Sequence, residues 1–324
     1  MSETLPKAPV RRALRVKPAT TEDKIFFGVS AAAGYSSLVL IVLILIFLGL
    51  QAWPTFAQQG IAEFVFGTGW SNAEEQYSIG PMLWGSLLIA TLGVILAVPM
   101  AISIAYFIEF MATPRLKRTA TLFIDLLAAI PSVILGLWGL EVFSYVGADW
   151  GRMLNETLGF LPIFSNVAES FLRTPFIAGV VIAVMIVPII SSVTREIFSQ
   201  VDDDLIKASI ALGGNRESTF RKVILPVSAS GITGGVLLGL GRALGETVAI
   251  FFVLNLVFDS YNWFNILEPG GGAIASLILG QFGEATASEV SALLAAGVIL
   301  FLLTLVINSI AAFIVSRAQP WNNR

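Results

Sequence analysis

The sequence contains no cysteine and no histidine. Those two absences exclude disulfide frameworks, Cys/His zinc or iron sites, thiol nucleophiles and any Ser-His-Asp triad. Charge is scarce as well: Asp, Glu, Lys and Arg make up 13% of the 324 residues, against roughly 25% in an ordinary soluble domain. No lysine follows a glycine, so the Gly-Lys pair of a nucleotide-binding P-loop is missing, and any ATP-driven step needs another polypeptide. What is present is apolar: 56% of the residues, for a mean hydropathy of +0.84. A water-soluble fold of this size could not cover so much apolar surface. The composition therefore predicts an all-α integral membrane protein.

A transmembrane helix needs about 20 mainly apolar residues to cross roughly 30 Å of hydrocarbon. Such segments lie near 29–50, 82–108, 121–146, 176–198, 229–257 and 291–315, which predicts one leading helix followed by a five-helix unit (82–315). Basic residues precede the first run and no small-x-small cleavage site follows it, so it reads as an uncleaved signal anchor. Pro99, Pro131 and Pro188 fall within or near spans and predict kinks more than breaks. Lysine and arginine collect in the N-terminal arm 1–28, between the second and third spans (Arg115, Lys117, Arg118), between the fourth and fifth (Arg195, Lys207, Arg216, Arg221, Lys222) and in the tail 316–324. The alternate connections hold only Arg152 and Arg173 and are rich in acids, among them Glu63, Glu169, Glu268 and Glu289. This bias places both termini in the cytoplasm.

The proline-containing, polar arm 1–28 reads as a cytoplasmic extension without a core of its own. The outer loop 51–81, with Trp53, Trp70, Tyr77 and Gly80-Pro81, suits packing at the water interface. In the outer segment 259–290, the apolar run 273–282 is too short to span and reads as a re-entrant or interfacial helix.

Two stretches carry chemistry. In the cytoplasmic connection 199–226, Asp202, Asp203 and Asp204 supply N-cap character, and Gly213-Gly214-Asn215 supply a stop, so a two-turn helix is expected between them. A second helical stretch from Arg216 is expected to be interrupted at Pro226. The apolar residues Leu205, Ile206, Ala208, Ala211 and Leu212 either pack under their own bundle or insert into a partner's groove. In the fifth span, helical spacing puts Gly231, Gly235, Gly239, Arg242 and Glu246 on one stripe bordered by Gly245, a small-residue face for close helix packing. Arg242, the one basic residue left inside a span, then points into the bundle. It either forms a self-contained ion pair with Glu246 or offers its guanidinium fork to a tetrahedral oxyanion. Ser132, beside Pro131, could turn a hydroxyl toward the same path, whereas Asp125, Glu141 and Glu109 read as helix-end groups.

The loop pattern Leu205, Ala208, Ala211-Leu212-Gly213-Gly214 and then Val223-Ile224-Leu225-Pro226 resembles the "EAA" loop of binding-protein-dependent ABC importer permeases of the MetI-like superfamily. The chain reads Lys207-Ala208-Ser209 where that family has Glu-Ala-Ala. The stretch from Gly241 to Ala249, with 129–139 in the third span, is similar to the phosphate permeases of the PstC family. The resemblance covers about residues 80–315. It implies a prokaryotic cell membrane and a coupling role for Asp204, Leu205, Lys207, Ala208, Leu212, Gly213 and Gly214. It also implies a phosphate path past Arg242 and Glu246. The implied partners are a second, PstA-like permease completing the pore, two PstB-like ATPase subunits that bind ATP and Mg, and a PstS-like phosphate-binding protein outside. No cofactor is expected on this chain itself. From the residues alone, a permease for another oxyanion (sulfate or molybdate), a secondary anion transporter and a membrane enzyme remain the alternatives. No matching inverted halves and no converging catalytic groups favour the last two.

Overall fold

The structure is a computed structural model describing residues 20–168 and 170–318. Most of the basic arm, including Lys7, Arg11, Arg12, Arg15 and Lys17, lies outside the described residues, as do Glu169 and the tail from 319. In chain order the helices are α1 (Thr21–Gln59), α2 (Ile61–Phe66), α3 (Gly80–Tyr106), α4 (Pro114–Ala129), α5 (Ser132–Trp138), α6 (Ser144–Leu158), α7 (Pro175–Ser199), α8 (Asp203–Ala211), α9 (Arg216–Thr219), α10 (Leu225–Gly245), α11 (Val248–Val253), α12 (Ile274–Gln281) and α13 (Ala287–Ala318). A two-residue hairpin pairs β1 (Trp70–Ser71) with β2 (Gln76–Tyr77). Among the described residues five helices are long and apolar enough to cross a membrane, or six if the bent pair around Pro131 is one span.

The chain divides into two units at residues 47 and 48. In the first, α1 starts from a reciprocal cap: Thr20 N donates to Asp23 Oδ2 (2.9 Å), and Asp23 N donates to Thr20 Oγ1 (3.2 Å). The side chains that follow, Leu38 to Phe47 among them, are exposed and apolar around the whole helix, which suits lipid as the solvent.

In the second unit α7 is the central helix. Ile177, Ile182, Ile186 and Ile190 are fully buried along it, and α3 and α10 pack against it. The fit is small against large: Gly93 of α3 faces Ile182, and Gly179 of α7 faces Leu92. Water supplies no drive for helix association inside a bilayer, so this closeness of backbones is what holds such helices together.

Three expectations about the spans are corrected. The third is broken rather than kinked: α4 ends at Ala129, and α5 starts at Ser132 after a bend of 90°. Proline forces its predecessor out of the helical region, and Ile130 is accordingly extended at φ −64°, ψ 127°. The fifth span is not interrupted at Pro226; a π turn at Phe220–Ile224 precedes it, and the helical run continues from Arg216 to Gly245. That wider turn absorbs the proline. The same span ends at Gly245 rather than near 257, and α11 follows as a separate short helix.

The segments expected outside are folded. Residues 51–59 continue α1 rather than forming loop, and α2 and the hairpin follow. Ala52, Phe64, Tyr77, Ile79, Met82, Ile274, Leu277 and Leu293 make a second apolar core, with α12 inside it. Gly272 (φ 146°) lets this segment's backbone lie against Gly85 of α3, where a Cβ on Gly85 would meet the Gly272 amide at 3.0 Å. No side-chain-bearing residue fits there.

Candidate translocation and coupling sites

The short helix α8 is fixed at both ends by the residues that predict it. Asp202 caps it, its carboxylate accepting from Asp204 N at 2.9 Å. At the other end Gly213 N donates to Ile210 O and Gly214 N to Ser209 O, both at 2.9 Å, the paired bonds of a Schellman ending. Gly213 stands at φ +84°, a left-handed conformation that suits glycine. Asn215 then caps α9, accepting from Ser218 N at 2.8 Å, and the hydroxyls of Ser209 and Thr219 meet at 2.9 Å to tie α8 to α9. Lys207 reaches Asp204 at 3.4 Å on the solvent side.

The apolar residues of α8 divide between the two expected uses. Ile206 packs with Phe198, Phe220 and Ile224 beneath the bundle. Leu205, Ile210 and Leu212 are exposed, Leu212 to 90%. Leu205, Ala208, Leu212, Gly213 and Gly214, with Lys222, line an open groove of about 690 Å³. The groove sets exposed apolar side chains beside the polar backbone of Gly213 and Gly214.

The expected Arg242–Glu246 stripe does not form. Gly231, Gly235 and Gly239 do lie against α7, where a Cβ would come within 2.5 Å of Ile197, 3.1 Å of Val193 and 2.8 Å of Ile190 respectively. Close approach stops there: Gly245 has nothing within 4 Å, so it ends α10 rather than packing it. Glu246, extended at φ −70°, ψ 122°, is therefore no longer one helical turn beyond Arg242. Its side chain is 7% exposed, and Oε1 accepts from Ala249 N at 3.4 Å. Arg242 stays on the exposed face in the last turn of α10, where a cation complements the helix dipole. Among the described residues no ion pair joins the two.

Ser132 is half-buried and opens α5 immediately after the Pro131 break. A Cβ on Gly136 would touch Ala249, and one on Gly139 would touch Val253. Helices α5 and α11 thus run parallel, and the two chain breaks, at 130–131 and 246–247, lie at the same end of this packed pair. The arrangement brings Ser132 and Glu246 to one level of the bundle from positions more than a hundred residues apart in sequence.

Among the other acids, Asp125 accepts from Ser192 Oγ at 3.4 Å, and Glu109 pairs with Lys117 at 2.7 Å. Glu141 is exposed. Sequence reasoning missed Glu289: it is 2% exposed and accepts from Trp70 Nε1 and Asn72 Nδ2, each at 2.8 Å, so the hairpin is clamped to the start of α13.

The model of the binding-protein-dependent transport system inner membrane components matches residues 93–320 of this broken-helix bundle. The chain belongs to this family. It is thus a multi-pass inner-membrane transport component. A phosphate transport system permease protein, PstC 2 of Mycobacterium tuberculosis, is 35% identical to this permease over 317 residues, covering 96% of the chain and 97% of its own length. PstC of Xylella fastidiosa is 35% identical over 325 residues, covering 98% and 97%. Among solved structures, a bacterial alginate ABC transporter in complex with a pentasaccharide-bound periplasmic protein resembles the permease with a TM-score of 0.61. It is 15% identical over 92% of this chain and 96% of that one, a likeness of fold alone.

Proposed function

We propose that this permease passes inorganic phosphate inward as one half of an ABC importer pore. The observation that carries the reading is Arg242: a guanidinium in the last turn of a membrane helix, exposed and without an ion pair among the described residues. A phosphate oxyanion suits that fork bidentately. A conduit needs weak, transient contacts, and one exposed guanidinium supplies such a contact. The near-full-length relatives named as phosphate permeases support the choice of ion. The face bearing Arg242 is completed by a second permease. The exposed apolar rim of α8 enters a cleft on an ATPase that binds ATP and Mg, and a phosphate-binding protein delivers from outside. Lysine and arginine in the 2–3 and 4–5 connections put α8 on the ATP side. ATP-driven closure of the ATPase pair would move α8 and switch the pore between outward and inward exposure.

The test is phosphate uptake by the assembled importer in vesicles. Arg242→Ala should reduce uptake to background while insertion and assembly persist. Undiminished uptake overturns the role of Arg242, and sulfate carried in place of phosphate overturns the substrate.

A further inference from the structure

The outer connections hold two basic residues, Arg152 and Arg173. Arg152 is engaged: its guanidinium pairs with Asp149 at 3.0 Å and lies 5.8 Å from the Phe171 ring centre. Arg173 has no ion pair among the described residues. Its backbone stands at φ +56°, a left-handed conformation unfavourable for any residue with a long side chain and persisting only where surroundings impose it. Those surroundings are firm. Thr174 caps α7 with its hydroxyl, Pro175 opens that helix, and Phe176 N donates to Ile266 O at 2.8 Å. The turn projects the guanidinium to Asn255, where Nη1 donates to Oδ1 at 2.8 Å.

Arg173 and Asn255 line an open cavity of about 390 Å³ whose other walls are Leu140, Phe251, Phe252, Leu254 and Leu256. The cavity rests on α11, and Phe252 also borders Gly136 of α5. The six residues of α11, a rise of roughly 9 Å at 1.5 Å per residue, separate Glu246 just before the helix from Asn255 just after it. One oriented cation, held by a neutral amide and set over an apolar floor, therefore stands at the outer end of the element whose inner end carries Glu246.

We propose that Arg173 is an outer collecting site for the oxyanion: it holds phosphate released at the outer face and hands it along α11 toward Arg242. This rests on the phosphate reading above. Only one of the five N–H donors of the guanidinium is used by Asn255, so the remaining edges can take two oxygens of a tetrahedral anion. A single exposed positive charge over an apolar lining raises the local anion concentration, and salt weakens that effect.

The experiment uses the complete importer in vesicles with its loaded binding protein, reading phosphate uptake across ionic strengths. Arg173→Asn removes the charge while tolerating the left-handed backbone. At saturating binding protein it should raise the KM for phosphate about ten-fold, leave kcat and the half-maximal concentration of binding protein for ATP hydrolysis within about two-fold, and flatten the salt dependence. Arg173→Lys should recover most of the loss, and Asn255→Leu, which frees the guanidinium, should give an intermediate KM. An unchanged KM and salt slope in Arg173→Asn, alongside normal wild-type phosphate uptake, overturns the inference alone. If Arg173→Asn instead requires about ten-fold more binding protein to stimulate ATP hydrolysis, the residue touches that protein and the inference fails. Wild-type vesicles that carry sulfate rather than phosphate overturn the phosphate reading itself.

Discussion

Leu212 offers the sharpest test of the coupling assignment because it is 90% exposed at the end of α8. A leucine that touches almost nothing in its own chain contributes almost nothing to that chain's stability. Leu212→Ala should accordingly leave the unfolding temperature of the isolated permease unchanged, within about 0.5 kcal/mol. If the residue is buried in an ATPase cleft, the truncation removes three carbons from a docked side chain. At about 0.8 kcal/mol per buried carbon this is roughly 2.4 kcal/mol, or about fifty-fold weaker association. Titrating the ATPase subunit onto detergent-solubilised permease measures the shift directly. The contrasting variant is Ile206→Ala, which opens the inner apolar cluster and should lower the permease's own stability. Equal ATPase affinity for wild type and Leu212→Ala refutes docking at this rim. A large stability loss in the isolated Leu212→Ala chain refutes the exposure on which the estimate rests.

Three further outcomes are expected. Gly239→Val places branched carbons against Ile190, where even a Cβ would approach to 2.8 Å; overpacking should cost about 1–3 kcal/mol in thermal unfolding, whereas Gly245→Ala, with open space around it, should stay within about 0.5 kcal/mol. Glu289→Gln sets an amide NH₂ against one of the two donors, Trp70 Nε1 and Asn72 Nδ2, that the buried carboxylate accepts from; hydrogen exchange over 70–77 should accelerate, with a stability loss of about 1.5–3 kcal/mol. Burial, and after it the charge of Glu63, hold the Tyr261 hydroxyl above its ordinary range. Its protonated form, donating to Phe66 O at 2.6 Å, therefore stabilises fully below about pH 10, and the contribution is lost as pH rises through the raised value. Tyr261→Phe should cost about 1 kcal/mol at neutral pH and remove that alkaline decline from a pH series of unfolding temperatures.

Features set by neighbours in the chain were legible in the sequence. Helix α8 is bounded by Asp202 and Gly213 because capping involves residues within one turn, and the long spans follow from unbroken apolar runs. Features set by distant partners were not. A proline in an apolar run can kink or break a helix, and the sharp turn at Pro131 accompanies packing of Gly136 and Gly139 on α11, over a hundred residues later. The spacing of Arg242 and Glu246 presumes a helix continuing through Gly245, a residue as suited to ending a helix as to packing one. Glu289 read as one acid among several outside, since nothing local pairs it with Trp70, 219 residues away.

The uninterrupted helical run from Arg216 to Gly245 has a mechanical consequence. Thirty residues at 1.5 Å each make a rod roughly 45 Å long, with Arg242 near one tip and Asn215, the cap beside α8, at the other. A rod tilted by ~5° about one end displaces the other by about 4 Å, more than the length of a hydrogen bond. The π turn at Phe220–Ile224 widens that lever near its loop end. Lengthening or straightening it would change how far a movement at the loop end is carried along the helix, and an insertion of one residue there would rotate Arg242 relative to that end by about 100°.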